Sequence, residues 1–167
     1  RWVVRTAFEA FSANAGIVSG WRFSINLSGQ SLCDETFMQF VIDSFRQTGV
    51  SPEQICFEIT ETTAVANLTQ ATRFIAVLKG MGCRFSLDDF GTGLSSFGYL
   101  QTLKVDYLKI DGSFVRDMTS NPVNRAVVEA ANQIGHAMGM QTIAEFVENG
   151  EILRVLGEIG VNYAQGY

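Results

Sequence analysis

The chain of 167 residues is about as long as one domain, and 47% of its residues are hydrophobic, so it can bury a substantial core. Its 17 acidic residues outnumber its 12 basic ones, and the resulting net charge of −5 makes DNA and RNA polymers poor partners. This composition excludes a disordered chain, whereas a small phosphate ligand held through metal ions stays compatible with it.

No segment of the sequence reads as a membrane span or a signal peptide. The longest uncharged stretch, residues 130–144, is interrupted by polar residues, and the opening RWVVRTAFEAF has no cleavage site. A cytoplasmic location is therefore expected. Cys33, Cys56 and Cys83 lie far apart without a C-x-x-C pair, which predicts buried free thiols and neither disulfides nor a zinc site.

Hydrophobic periodicity predicts short strands that alternate with helices along the chain. Helices are expected at residues 2–13, 35–47, 67–80, 123–138 and about 150–157, the third with Asn67 as its N-cap. Strands are expected at residues 22–27, 55–59, 83–88, 105–110, 141–145 and 161–165. Residues 90–103 read as a loop that leads into a short helix. Because no linker interrupts this alternation, it predicts a single α/β domain over residues 1–167, without deciding between a closed barrel and an open sheet.

The polar residues best suited to build a metal site lie at or just past the ends of these apolar runs. They are Asn26, Glu58, Asp88, Asp89, Lys109, Glu145 and Gln165. Side chains at the carboxyl ends of parallel strands converge on one face of a βα sheet. Carboxylate and amide oxygens are also the ligands that Mg²⁺ prefers. The sequence therefore predicts a site for divalent cations at that end of the sheet.

Asp88 and Asp89 are adjacent, and adjacent residues of a regular strand point to opposite faces. The turn-forming residues 91–93 make a change of direction plausible, and one carboxylate would then bridge two metals. The alternative is that the pair only caps the following turn. Lys109 offers an ammonium that orients or helps to deprotonate a water, offsets phosphoryl charge, or forms a salt bridge with those acids.

Other acidic residues have simpler interpretations. Glu145 is a candidate metal ligand or water-activating base, whereas Glu148 reads as a charge at a helix start. Glu61 resembles a capping or loop-bracing residue. His136 is the only histidine and is expected to be structural. The triplet at 89–91 also occurs in the metal-binding element of protein kinases, but the chain lacks their glycine-rich nucleotide loop and their H-R-D motif.

Taken together, these residues give the chain a resemblance to the EAL domain, the bacterial module that cleaves cyclic di-GMP. The matching segments occur in the family's order: SINLS (24–28), FEITE (57–61), LDDFGTGLSSFGYL (87–100), LKIDGSFV (108–115), TIAEFVE (142–148) and AQGY (164–167). The resemblance implies a modified (β/α)8 barrel of the TIM type. It also implies that this domain lacks its first strand or strands and is incomplete at both ends.

The resemblance assigns four residues to two Mg²⁺ or Mn²⁺ ions: Asn26, Glu58, Asp88 and Asp89. Lys109 and Glu145 look like the groups that hold and activate the attacking water, and Gln165 looks like a support for them. Glu61 resembles the glutamate that anchors the loop 90–97. The implied reaction is metal-dependent hydrolysis of cyclic di-GMP to linear pGpG.

The resemblance also leaves alternatives open. The Glu-Ala-Leu segment that names the family lies upstream of these residues, so a catalytically inactive receptor for cyclic di-GMP stays a candidate, as does a fragment that folds only by association. Phe146 stands beside Glu145 where glycine is commonest, and Gly98 and Gly112 replace the more usual Ser and Lys or Arg. Expected partners are a second copy through the region 88–97 and an upstream GGDEF or sensory domain, in a protein that is membrane-anchored elsewhere.

Overall fold

The computed structural model describes residues 1–18, 20–93 and 97–166. Their elements are α1 (Trp2–Ala13), β1 (Phe23–Asn26), α2 (Gly29–Cys33), α3 (Glu35–Thr48), β2 (Ile55–Thr60), α4 (Glu61–Ala66), α5 (Leu68–Gly80), β3 (Arg84–Phe90), β4 (Tyr107–Ile110), α6 (Gly112–Val115), α7 (Pro122–Ala137), β5 (Gln141–Ala144), α8 (Gly150–Ile159) and β6 (Tyr163–Ala164). Short 3₁₀ helices span Pro52–Gln54 and Phe97–Gln101. Every predicted strand and helix is confirmed, whereas α2, α4 and α6 were not predicted. None of the described helices is long and apolar enough to cross a bilayer.

The six strands form one parallel sheet in the order β1-β2-β3-β4-β5-β6. Each strand therefore lies beside its neighbours in sequence, with a helical crossover between them. A doubly wound sheet would reverse its order at a switch point, whereas sequential order is that of a barrel. The sheet curls as part of a TIM-like barrel, which settles the choice that the sequence left open.

The outer face of the sheet carries the hydrophobic core. Phe57 on β2 and Phe85 on β3 each pack edge-on against Phe74 of α5, with ring centroids 6.2 Å apart. Because side chains alternate along a strand, the neighbours of these aromatic residues project from the opposite face. Glu58 on β2 and Lys109 on β4 belong to that second face, so the packing of the helices determines where the polar residues meet.

Asn67 stands at the N-cap position of α5, but its side chain does not cap this helix. Its Nδ2 donates to the carbonyl of Thr63 at 3.0 Å, and its Oδ1 accepts from Cys33 Sγ at 3.1 Å. The predicted cap was therefore wrong, because α4 ends directly before α5 and the Asn67 side chain binds the Thr63 carbonyl of α4 instead, an oxygen that also accepts from the Asn67 backbone N–H at 3.2 Å.

The cysteines are all free thiols, but only two of them are buried. Burial raises the pKa of Cys56 and of Cys83 to about 12, so neither forms a reactive thiolate near neutral pH. Cys33 is exposed at the end of α2, and the prediction of burial was wrong for it. The short helix α2, which was not predicted, places this residue at the surface.

His136 belongs to a hydrogen-bonded network at the amino end of β5. Its Nε2 lies 2.9 Å from Asn162 Oδ1, which also accepts from the backbone N–H of Thr142 at 2.8 Å. The buried Thr142 hydroxyl donates to Asn132 Oδ1 at 2.6 Å. This network joins α7 to the sheet at the end opposite to the predicted metal site, and the structural interpretation of His136 is confirmed.

Asp106 joins the amino ends of β3 and β4. Its carboxylate accepts from Lys79 Nζ at 2.9 Å, Arg84 Nη1 at 2.8 Å and the backbone N–H of Phe85 at 2.9 Å. Burial by itself raises the pKa of this carboxyl, but the hydrogen bonds from Arg84 and Lys79 outweigh burial and hold the pKa below its usual range. The stability that follows is fully present above the unfolded-state pKa of about 3.9 and is lost as the pH falls through the lower folded-state pKa.

Replacing Asp106 by Asn is predicted to lower the free energy of unfolding at pH 7 by about 1–3 kcal/mol, since Lys79, Arg84 and the Phe85 backbone N–H lose an ionised acceptor. The difference should shrink in acid, once the pH has fallen from the unfolded-state pKa of about 3.9 through the lower folded-state pKa and the parental carboxyl is itself protonated. Urea denaturation at pH 7 and in acid measures it. The exposed Asp117→Asn is the matched control, with a change within about 0.5 kcal/mol. An equal loss at both pH values would contradict this account.

Candidate metal centre

Lys109 stands at the centre of the candidate site. Its side chain is only 4% exposed, and its Nζ lies 3.0 Å from Glu58 Oε2, 3.0 Å from Asp88 Oδ1 and 2.7 Å from Glu145 Oε1. These carboxylates come from β2, from β3 and from the residue that follows β5. The structure thus brings together residues that lie far apart in sequence, at the end of the sheet where they were expected.

The surroundings of Lys109 keep it protonated. Burial alone lowers the pKa of a lysine, but hydrogen bonds to Glu145 and Glu58 and the negative charge of Glu58 outweigh burial and raise the pKa above its ordinary value. An ammonium in this state donates hydrogen bonds and balances negative charge. Its arrangement therefore favours holding a water or offsetting phosphoryl charge over deprotonating a water, and the predicted salt bridge is present.

Asp89 reaches the site through a backbone turn of its own. Its φ is 56°, in the left-handed region, and the register between β3 and β4 shifts at this point. Such a bulge redirects a side chain that a regular strand would send to the other face. As a result, Asp88, Asp89 and Glu145 each place one carboxylate oxygen within 4.8 Å of the others. From the sequence, the change of direction was attributed to the turn-forming residues 91–93. In the structure it occurs at Asp89 itself.

The electrostatics of this cluster suit a cation. Burial, followed by the nearby charges of Asp88 and Asp111, raises the pKa of Asp89. Burial also raises the pKa of Glu145, although Lys109 partly opposes it. A single ammonium thus leaves the carboxylates with excess negative charge, which divalent cations with oxygen ligands would neutralise. The donor set fits Mg²⁺ or Mn²⁺.

Asn26 and Gln165 lie at the same end of the sheet with freer side chains. Asn26 ends β1, is exposed, and pairs in register with Glu58 on β2. Gln165 follows β6 and lines, together with Glu145, a cavity of about 240 Å³. Both residues are therefore close to the carboxylate cluster, although neither side chain forms a hydrogen bond with the residues that the structure describes.

Glu61 is buried at the start of α4 and contacts the chain on both sides of residues 94–96. Glu61 is only 2% exposed. Its Oε2 accepts a hydrogen bond from the backbone N–H of Gly91 at 3.1 Å, and its Oε1 accepts one from the Tyr99 hydroxyl at 2.7 Å. Residues 94–96 of the predicted anchored loop lie outside the described residues. The two contacts are those expected of a residue that braces the segment of chain after Asp89.

Sequence reasoning missed the part that Tyr99 plays. Burial and the Glu61 hydrogen bond together raise the pKa of its hydroxyl, which donates to the buried carboxylate. A buried tyrosine normally needs a partner for its hydroxyl, and that requirement is the signal that was available.

The family model of the EAL domain matches residues 1–167. The chain belongs to the EAL domain family. It is 43% identical over 165 residues to the cyclic di-GMP phosphodiesterase PdeB of Shewanella oneidensis, covering 99% of this chain and 19% of that protein. It is 35% identical over 166 residues to the cyclic di-GMP phosphodiesterase PdeF of Escherichia coli, covering 99% and 22%. The chain thus spans about a fifth of the length of these curated relatives.

Solved EAL structures share the fold of this EAL domain. The PaMucR phosphodiesterase in complex with c-di-GMP matches with a TM-score of 0.92 at 29% identity, covering 99% of this chain and 67% of that one. The EAL domain of Mycobacterium smegmatis DcpA matches with a TM-score of 0.91 at 35% identity, covering 99% and 75%. The TIM-type barrel architecture expected from the resemblance is therefore confirmed.

Replacing Lys109 by Met is predicted to destabilise the EAL domain by about 3–5 kcal/mol at pH 7 in the presence of a chelator, because buried carboxylates lose their cation. The loss should shrink when Mn²⁺ is added, since the metal supplies the missing positive charge. Thermal and urea denaturation with and without Mn²⁺ measure both effects. The exposed Lys104→Met is the control, and a similar loss from both substitutions would show that the carboxylates do not depend on Lys109.

Proposed function

We propose that this EAL domain is a metal-dependent phosphodiesterase that hydrolyses cyclic di-GMP to linear pGpG. The observation that supports it best is the cluster of Asp88, Asp89 and Glu145, whose carboxylate oxygens lie within 4.8 Å of one another beside the Lys109 ammonium. Oxygen ligands of this kind suit two-metal phosphodiester chemistry. The names of the relatives, which are phosphodiesterases of this same compound, support the choice of substrate.

In this proposal four residues hold two Mg²⁺ or Mn²⁺ ions: Asn26, Glu58, Asp88 and Asp89. Bound there, such ions supply a hydroxide near neutral pH and stabilise charge at phosphorus. Glu145 belongs to the same acidic cluster as two of these ligands. A water next to the metals would therefore also be within reach of the Glu145 carboxylate, which connects the binding of the metals with activation of the nucleophile.

The remaining side chains act on protons and charge. Glu145 accepts a proton from the attacking water. Lys109 stays protonated, holds that water and offsets the negative charge of the phosphoryl group. Gln165, in the same cavity, supports the water site. The P–O bond to the leaving ribose oxygen breaks as the new bond to the water oxygen forms, and the leaving oxygen takes up a proton from solvent to become a ribose hydroxyl of pGpG.

Glu61 supports the site indirectly in this proposal. By accepting from Gly91 N–H it holds the residue two positions after Asp89, so the bulge at Asp89 is fixed from one side. Tyr99 orients the other carboxylate oxygen of Glu61. Pairing of two copies through the region 88–97 and an upstream GGDEF or sensory domain stay predictions from the resemblance, and a cytoplasmic location stays a prediction from the sequence.

The direct test is an assay of pGpG formation from cyclic di-GMP by the protein that contains this chain, with Mg²⁺ or Mn²⁺ and with EDTA. We expect activity only with the metals. Replacing Glu145 by Gln is predicted to lower kcat by about 10²–10⁴-fold, because the proton acceptor is lost. Glu151→Gln, at the exposed first turn of α8, is the matched control and should keep parental kcat.

The same assay separates the enzyme from the receptor. Tight binding of cyclic di-GMP without pGpG in any metal would show that the domain is an inactive receptor and that the proposed hydrolysis is wrong. Metal-independent hydrolysis, or a Glu145→Gln protein with parental kcat, would contradict the assigned roles.

A further inference from the structure

The chain leaves β5 through a second bulge, formed by Glu145 and Phe146. Gln165 N–H donates to the carbonyl of Ala144 at 2.8 Å, and Val147 N–H donates to the carbonyl of Gln165 at 3.1 Å. A regular parallel ladder would place one residue fewer between these two bonds, so the segment contains an extra residue. Phe146 takes up that excess with a φ of 53°, a left-handed conformation that is unfavourable for a bulky residue.

The ring of Phe146 is held by α6 and by the residue after it. A Cβ added to Gly112, the first residue of α6, would overlap this ring, so the missing side chain leaves the space that the ring occupies. The Arg116 guanidinium lies over the ring, 5.0 Å from its centroid, and Arg116 Nε is 3.5 Å from Glu148 Oε1. Phe146 and Gly112, noted as separate departures in the sequence, are therefore in contact.

These contacts explain how a strained residue persists although it is 49% exposed. Burial alone does not hold Phe146 in place, so the packing on Gly112 and the cation–π contact with Arg116 must offset the backbone strain. The backbone of Glu145 is also held by β4, because its N–H donates to the carbonyl of Ile110 at 3.3 Å. Glu145 is thus fixed by β4 on one side and by the Phe146 ring on the other.

We propose that Phe146 is a positioning residue for Glu145. Its ring, docked in the space at Gly112, fixes the bulge and so directs the Glu145 carboxylate to the Lys109 ammonium, 2.7 Å away. The role in catalysis rests on the proposed function, whereas the coupling between Phe146 and Gly112 does not. A ring that only covers the surface would leave the direction of Glu145, and therefore kcat, unchanged.

The test is a double-substitution cycle between the two positions. Gly112→Ala puts a methyl group where the ring lies, so the ring must leave and the bulge must change. We expect kcat for cyclic di-GMP to fall about tenfold or more while KM changes less than about twofold, since a small displacement of a catalytic group affects the chemical step. In the Phe146→Gly variant the ring is absent, so the methyl group of Gly112→Ala has nothing to displace. The double variant should therefore have the same kcat as the Phe146→Gly single variant.

Two further variants sharpen the comparison. Phe146→Tyr keeps an aromatic ring against Gly112 and should retain most of the parental kcat, whereas Phe146→Gly should not. Gly157→Ala in α8 is the matched control for adding a methyl group, because nothing lies within 4 Å of the position its Cβ would take. It should change neither kcat nor the affinity for metal.

A second readout needs no hydrolysis. Glu145 shares the acidic cluster with Asp88 and Asp89, so Gly112→Ala should weaken Mn²⁺ binding by about tenfold in the parent and not in the Phe146→Gly background. A parent that binds Mn²⁺ and shows this coupling, but forms no pGpG, would defeat the proposed function and leave the positioning of Glu145 standing. Equal effects of Gly112→Ala in both backgrounds, no effect in the parent, or a parent without Mn²⁺ binding would overturn the positioning role.

Discussion

The buried contact between one ammonium and several carboxylates is the interaction on which the rest of this structure depends. Removing such charges from water is costly, and only their mutual pairing offsets that cost. Lys109 meets Glu58, Asp88 and Glu145 only if β2, β3, β4 and β5 have the observed register. A slip of one residue would turn the charged side chains to the helix-covered face, so the aromatic packing on that face also protects the site.

Two bulges make this convergence complete. Asp89 and Phe146 are the non-glycine residues with positive φ in the described part of the chain, and both lie where a strand ends at the site. Strained residues of this kind persist only where their surroundings hold them. Here the surroundings are identifiable: Glu61 holds the segment after Asp89, and Gly112 accommodates the ring of Phe146.

The two ends of the sheet have different tasks. At the amino ends of the strands, Asp106 and the network of His136 and Thr142 pair polar groups with one another, which stabilises the joins between strands and helices. At the carboxyl ends, Asp89 and Glu145 have raised pKa values and leave negative charge unbalanced. Barrel proteins commonly divide stability and chemistry between these ends, and this division explains why the single histidine has no part in the site.

Local patterning determined the strands, the main helices and the identity of the residues at the carboxyl ends, because periodicity and turn chemistry depend on neighbours only a few positions away. The tertiary structure alone decided between barrel and open sheet, placed the turn at Asp89, paired Tyr99 with Glu61 and left Cys33 exposed. It also brought Phe146 against Gly112. The physical reason is that register, bulges and side-chain partners depend on contacts between strands and helices that are distant in the chain, and no local pattern specifies those contacts.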